Sequence, residues 1–219
     1  MKILIVYYSR NGHTARLAEA LARELEARGA IVKLEKIQVT HEWSKWILPI
    51  PLLPLLPFLP LYLVSAKFRR LWHHIYFQPS QSIQPLAYPD VSQFDQIMLG
   101  TPKWLYIAYP VARWLDKIAG IKGKPVFPFA TFCGPPLKVF ELEMLFAPLT
   151  NRLSALQATV PATLGISSNY HPYFVFGEME YLFRWLSKRI FRRELQDFTL
   201  DGPVGQEAFR HFLEAALKP

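Results

Sequence analysis

The first 37 residues restrict the fold more than any other part of the chain. Ile3 to Tyr8 (ILIVYY) is a short, unbroken apolar run rich in β-branched residues, the pattern of a strand covered on both faces in a parallel sheet. The loop Ser9-Arg10-Asn11-Gly12-His13 follows. From Thr14 to Arg28 the apolar positions Leu17, Ala18, Leu21, Ala22 and Leu25 recur at spacings of three and four, which predicts an amphipathic helix, and Gly29 stands where a C-terminal cap belongs. Ile31 to Ile37 alternates as a second strand. Strand, loop, helix and strand in this order make a βαβ unit, so the expected class is α/β with a parallel sheet.

The rhythm breaks between His41 and Pro89 and resumes with a third strand at Phe94 to Gly100. Pro110 opens a helix through Ile118, Val126 to Phe132 is a fourth strand, and Leu137 to Leu153 reads as a helix despite Pro148. A fifth strand is expected at Leu156 to Leu164, a basic helix from Glu178 to Phe198, and a last helix from Pro203 to Leu217. The expected organisation is one domain over 1–165, with an insertion at 41–89, and a helical extension over 166–219. At 219 residues and 51% apolar composition, one sizeable core is affordable.

A loop between a strand's carboxyl end and a helix's N-terminus points backbone N–H groups and the positive end of the helix dipole at one spot, which makes an anion site. Ser9, Asn11 and Thr14 add short polar side chains, and Gly12 permits close approach. The spacing lacks the Gly-Lys-Ser/Thr of a triphosphate loop and the Gly-x-Gly-x-x-Gly of a dinucleotide turn, and suits a monophosphate ester.

Tyr7-Tyr8-Ser9-Arg10-Asn11-Gly12-His13-Thr14, with Ala15 to Ala20 behind it, resembles the phosphate loop of the flavodoxin and flavodoxin-like NAD(P)H:quinone oxidoreductase families. Gly100 to Trp104, with Pro110 and Trp114-Leu115-Asp116, resembles the family's segment after the third strand. Gly123-Lys124-Pro125 through Thr131 to Gly134 resembles its fourth strand and second flavin-side loop. The resemblance implies a five-stranded parallel sheet in the order 2-1-3-4-5 with FMN at its carboxyl edge. Carried over by position, Ser9, Arg10, Asn11, Gly12, His13 and Thr14 hold the phosphate. Thr101, Pro102, Lys103, Trp104, Leu105 and Tyr106 line one side of the flavin ring, and Thr131, Phe132, Cys133 and Gly134 the other. Trp104 or Tyr106 is a candidate for stacking on the ring, and His13 or Tyr106 for donating a proton. Arg10, His13 and Pro135-Pro136 depart from the small polar residues and glycines common in these loops. The layout also resembles flavodoxin-fold proteins labelled dialkylresorcinol condensing enzymes, which carry a Pro- and aromatic-rich insertion and a basic aromatic tail. That likeness implies an alternative: a flavin-free fold binding lipid-like ligands, or a membrane-bound scaffold.

Lys+Arg 25 against Asp+Glu 17 gives a net charge of +8, which favours anionic partners and argues against a soluble electron shuttle, since flavodoxins that act as carriers are typically acidic. Trp46 to Ala66 holds 21 residues without a charge, long enough to cross a bilayer, but Pro49, Pro51, Pro54, Pro57 and Pro60 argue against crossing. A bent hairpin dipping into the interface, folding over the flavin edge or forming an oligomer contact is expected instead. Behind it Lys67, Arg69, Arg70, His73 and His74 alternate with aromatic and aliphatic residues, so Trp46 to Phe77 makes one cationic, apolar surface. Tyr181 to Arg193 makes a second, with Leu182, Trp185, Leu186 and Arg189 or Ile190 on one helical face and Arg184, Lys188, Arg192 and Arg193 toward another. Such helices bind anionic membranes, at about 1 kcal/mol per surface cation. No Gly-rich or ribonucleoprotein-type motif argues for nucleic acid.

The adjacent His73-His74 cannot readily share one metal ion on a helix, and a single cysteine excludes an internal disulfide and a cysteine-built zinc site. Cys133 itself is expected to be a buried thiol at a strand end. The apolar run at the start is too short for a signal peptide and lacks a cleavage pattern, so the expected location is cytoplasmic, peripheral at the membrane.

Overall fold

The computed structural model describes residues 1–41, 56–77, 82–103, 107–168 and 177–218. Five parallel strands form the centre: β1 (Lys2–Tyr7), β2 (Ile31–Lys36), β3 (Gln96–Pro102), β4 (Val126–Phe132) and β5 (Leu164–Ser167). Their order is β2-β1-β3-β4-β5, as the loop resemblance implies. β1 pairs with β3 in the register Tyr7↔Gly100, and β3 with β4 in the register Pro102↔Thr131.

Both faces of the sheet are covered, because successive side chains of a strand point to opposite sides. Ile3 and Ile5 of β1 join Met98, Phe127 and Phe129 on one face, against helix α1 (His13–Ala27), which buries Leu17, Ala18, Leu21, Ala22 and Leu25. Leu4 and Val6 join Ile97, Leu99 and Val126 on the other. Between β2 and β3 the chain carries the short helices α2 (Leu59–Val64) and α3 (Ala66–Phe77). The second face is then covered by α4 (Tyr109–Lys117), through Val111, Trp114 and Leu115, and by α5 (Met144–Ala155), through Leu149 and Leu153. Helix α6 (Gly177–Leu186) is followed by α7 (Pro203–Leu217). The last of these lays Phe212, Leu213 and Ala216 on the α1 face, with Phe212 edge-on to Phe127 at 5.9 Å between ring centroids.

Several local features follow from the sequence. Gly29, at φ +84°, closes α1: its N–H bonds Glu26 O and the Ala30 N–H bonds Leu25 O, the paired bonds of a glycine-capped helix end. Pro128 sits inside β4 without breaking it. The Val126 N–H bonds Thr159 O, so the N position two residues on faces the same flank, where the β5 ladder begins only at Phe129↔Leu164.

The structure corrects two expectations. Leu156 to Leu164 is not the fifth strand, which runs Leu164–Ser167. Leu156 to Ala158 instead ends α5: Gln157 takes φ +61° and the Ala158 N–H bonds back to Leu153 O, so the apolar alternation there is a helix cap and a link. The basic helix is not continuous from Glu178 to Phe198. It runs to Leu186, widens into a π-type turn over Ser187–Phe191, reverses at Arg192 (φ +55°) and ends in a separate 3-10 turn, Leu195–Phe198. The Ser187 hydroxyl donates to Arg193 O at 2.8 Å and stabilises the reversal. The Leu137 to Leu153 helix likewise begins as a π-type turn, Lys138–Glu143.

Gly100 is required by packing. A β-carbon there would lie 2.4 Å from the Phe129 ring and 2.7 Å from Tyr7 Cβ. Gly100→Ala is expected to lower stability by about 1–3 kcal/mol or more, read as a fall in the thermal midpoint by circular dichroism. An unchanged midpoint contradicts the packing described.

Candidate functional site

The carboxyl ends of β1, β3 and β4 bring together the described residues of the three segments singled out in the sequence. The sheet carries on past Tyr7, since the Tyr8 N–H bonds Gly100 O at 3.0 Å. The chain then turns through Ser9–Gly12 into α1. Gly12 is the N-cap at φ +87°, and a β-carbon on it would meet nothing within 4 Å, so open space adjoins the helix start. The first-turn N–H groups of a helix have no acceptor within it, and its dipole places partial positive charge there.

Ser9 is 5% exposed, and its Oγ is buried with no hydrogen-bond partner among the described residues. Thr14, also buried, shares a 2.8 Å hydrogen bond with the Thr131 hydroxyl, tying the start of α1 to the end of β4. The Lys103 N–H bonds Thr131 O at 2.9 Å, which ties the end of β3 to the same point. Thr101 is buried, with its hydroxyl on Pro102 O, and Pro102 and Lys103 are half-buried. Trp104, Leu105 and Tyr106 lie outside the described residues, as do 42–55, which include the start of the charge-free stretch.

Cys133 is exposed, contrary to the expectation of a buried thiol: β4 ends at Phe132, so the next residue leaves the sheet and turns outward. Its Sγ is 4.0 Å from Ser168 Oγ. Gly134 is buried at φ +92°, and its carbonyl accepts from Ser167 Oγ at 2.8 Å. Arg10 and His13 are half-buried, and Asn11 is exposed.

Three further groups adjoin this edge. Ser167 ends β5 and Ser168 follows it, with the Ser168 hydroxyl on Phe132 O at 3.0 Å. Placing the fifth strand at its true position in the sequence would have revealed both. Arg16 forms a two-pronged ion pair with Asp201, at 2.9 and 2.7 Å, which the sequence gives no signal for because 185 residues separate them. His13, Arg16, Thr131, Ser168, Thr199 and Asp201 line a cleft of about 30 Å³, room for roughly one water.

Tyr7, at the base of the loop, is held protonated above its ordinary pKa of 10.0, first by burial and second by the charge of Glu19. Among the described residues no group of histidine, cysteine or carboxylate side chains could hold a metal.

A five-stranded parallel sheet in this order, with a polar loop at the switch between β1 and β3, defines a flavodoxin-like fold. No protein-family model matches the sequence. A curated relative, NAD(P)H dehydrogenase (quinone) from Cupriavidus metallidurans, is 27% identical over 121 residues, or 55% of this chain. The chain spans about half of that relative's length, 48%. An X-ray structure of an oxidoreductase from Corynebacterium diphtheriae matches 98% of this chain and 92% of its own at 16% identity, with a TM-score of 0.51. A flavoprotein candidate from Bacteroides eggerthii matches 83% of this chain and 97% of its own at 19% identity, with a TM-score of 0.50. These likenesses show the fold, and the resemblance drawn from the loop segments stands.

The Tyr7 shift fixes a sign. Its folded pKa lies above the unfolded value, so the corresponding stability is present below pH 10.0 and is lost as pH rises through the folded pKa. Tyr7→Phe is expected to lose stability less steeply than the parent above that pH in denaturant midpoints; identical slopes contradict the burial of the phenol.

Proposed function

We propose that this chain is a membrane-associated, FMN-dependent oxidoreductase that takes electrons from an NAD(P)H-type donor and reduces a quinone or another lipophilic acceptor. The observation that carries the reading is the buried Ser9 Oγ without a partner, beside the open space at Gly12 and the start of α1. A buried hydroxyl left without a partner costs about 1–3 kcal/mol, and a phosphate oxygen would remove that cost. The loop Ser9 to Thr14 would hold the phosphate of FMN through backbone N–H groups, the Ser9 hydroxyl and the helix dipole. The segments 101–106 and 131–134 would flank the ring. FMN, when bound, supplies the two-electron redox chemistry; the protein binds, orients and shields it.

The Thr14–Thr131 bond keeps the phosphate loop and the second flavin-side loop in one register. His13, the first residue of α1, is the described candidate for a proton donor. The name of the curated relative supports an NAD(P)H donor and a quinone acceptor.

A lipid surface is supported by the insertion and the basic segment, Trp46 to Phe77 and Tyr181 to Arg193. Among the described residues no helix is long and apolar enough to cross a membrane. The helices α2 and α3, with the turn before them, nonetheless expose Phe58, Leu61, Leu63, Val64 and Leu71 in a segment that also carries Lys67, Arg69 and Arg70. The Arg69 guanidinium donates to the Tyr62 and Leu63 carbonyls at 3.0 and 2.7 Å. That satisfies carbonyls left over where α2 ends, and so lowers the cost of seating this segment among lipid headgroups.

The test is the absorbance spectrum of the full chain after incubation with FMN and removal of the excess. Flavin bands near one equivalent are expected; their absence from protein that is folded by circular dichroism contradicts the reading. Ser9→Ala is expected to weaken FMN binding roughly tenfold, the loss of one hydrogen bond to a charged group, with little change in riboflavin binding. Equal losses for the two ligands would remove the phosphate from the loop.

A further inference from the structure

Helix α6 has two unlike sides. On its inner side Phe183 lies over Gly134 of the loop after β4: a β-carbon added to Gly134 would sit 2.7 Å from Phe183 Cδ1. Ser187, fully buried, continues that side. On its outer side Tyr181 is 77% exposed, Trp185 59% and Leu182 43%. At about 100° per residue, Tyr181, Leu182 and Trp185 fall within an arc of ~100°, turned away from Phe183, and the turn Ser187–Phe191 adds the exposed Lys188 and Arg189. Arg184 is drawn inward to Glu180, and Lys188 pairs with Glu194 at 2.9 Å. Arg189, Arg192 and Arg193 stand in solvent around the reversal at Arg192, beside the exposed Ile190.

A contiguous face of tyrosine, tryptophan and leucine in water, rimmed by arginines, is the composition that partitions into the headgroup layer of an anionic bilayer. The charge is complementary, and the aromatic side chains suit that depth.

We propose that α6 and the turn Ser187–Phe191 form a docking face for an anionic phospholipid bilayer, and that docking tightens the flavin site through Phe183 seated on Gly134. The inference rests on the FMN reading above and adds the regulation of that site. Gly134 is held on one side by Ser167 Oγ and on the other by Phe183, so the loop loses one of these two supports if α6 lifts away. A bilayer that immobilises α6 from outside favours the arrangement in which Phe183 rests on Gly134. By linkage, FMN must strengthen membrane binding by the same factor that the membrane strengthens FMN binding.

The experiment titrates the full chain with FMN, read by flavin fluorescence, in buffer, with phosphatidylcholine vesicles, and with vesicles of equal parts phosphatidylcholine and phosphatidylglycerol. Flotation of the same samples reports vesicle binding. The expected result is flotation with the anionic vesicles alone and an FMN dissociation constant lowered about fivefold by them, within the usual range of allosteric coupling. Arg189→Gln with Arg193→Gln, both at exposed positions, is expected to weaken flotation to what α2–α3 alone supports and to remove the shift while binding FMN in buffer as the parent does; flotation equal to the parent's overturns the docking face. Phe183→Leu is expected to float normally and to lose most of the shift. FMN binding that is indifferent to vesicles on which the chain floats overturns the coupling, and failure to float overturns the docking face, with the FMN reading intact in both cases. Failure to bind FMN under all conditions overturns both.

Discussion

The pairing of β1 with β3 governs the rest of the molecule. β1 is followed by α1 and β2, and β2 is joined to β3 by some of the least regular sequence in the chain, from Ile37 to Asp95, yet β1 and β3 lie side by side in the register Tyr7↔Gly100. Closing so long a connection costs only a slowly growing entropy, and two buried faces of aliphatic side chains supply the return. Once β3 lies beside β1, the crossovers lead away on opposite faces, and the carboxyl edge opens at that point. Gly100 makes the junction possible by leaving room for Phe129 and Tyr7. The phosphate-type loop, the segment after β3 and the loop after β4 then converge without further instruction.

Convergence alone does not make a binding site. The polar links across the edge do the local work: Thr14 to Thr131, Lys103 N–H to Thr131 O, Ser167 to Gly134. Each joins the end of one element to another, and together they hold the rim of the sheet to fixed spacings. Among the described residues they leave the buried Ser9 Oγ unmatched, close in sequence to the start of α1. The basic and aromatic helix α6 meets the same rim through Phe183, which lies against Gly134, so the proposed lipid-facing surface and the proposed phosphate cradle adjoin one rim.

The sequence was most legible where one physical signal acted alone. Ile3 to Tyr8, the α1 periodicity with Gly29, and Val126 to Phe132 match the structure within a residue or two, because burial on both faces and helical amphipathicity leave few alternatives. It misled where two signals competed. Leu156 to Leu164 alternates like a strand, but its first residues cap α5 through Gln157 at φ +61°, a conformation that no residue preference at that position announces. Arg192 likewise interrupts a basic stretch whose composition favours an unbroken helix. Within the candidate site, the loop segments stood out by their residue types, whereas Ser167, Ser168 and the Arg16–Asp201 pair depend on tertiary placement alone. Cys133 turned outward because a strand end, and not hydrophobicity, sets its direction.

The central claim is that the loop Ser9 to Thr14 is a phosphate cradle. The most direct measurement is the amide ¹H–¹⁵N NMR spectrum of the full chain, recorded with FMN and with riboflavin, which has the same ring and no phosphate. The account predicts large shifts of the Ser9 to Thr14 amides with FMN and small ones with riboflavin. Equal shifts with both ligands, or none with FMN, would contradict it.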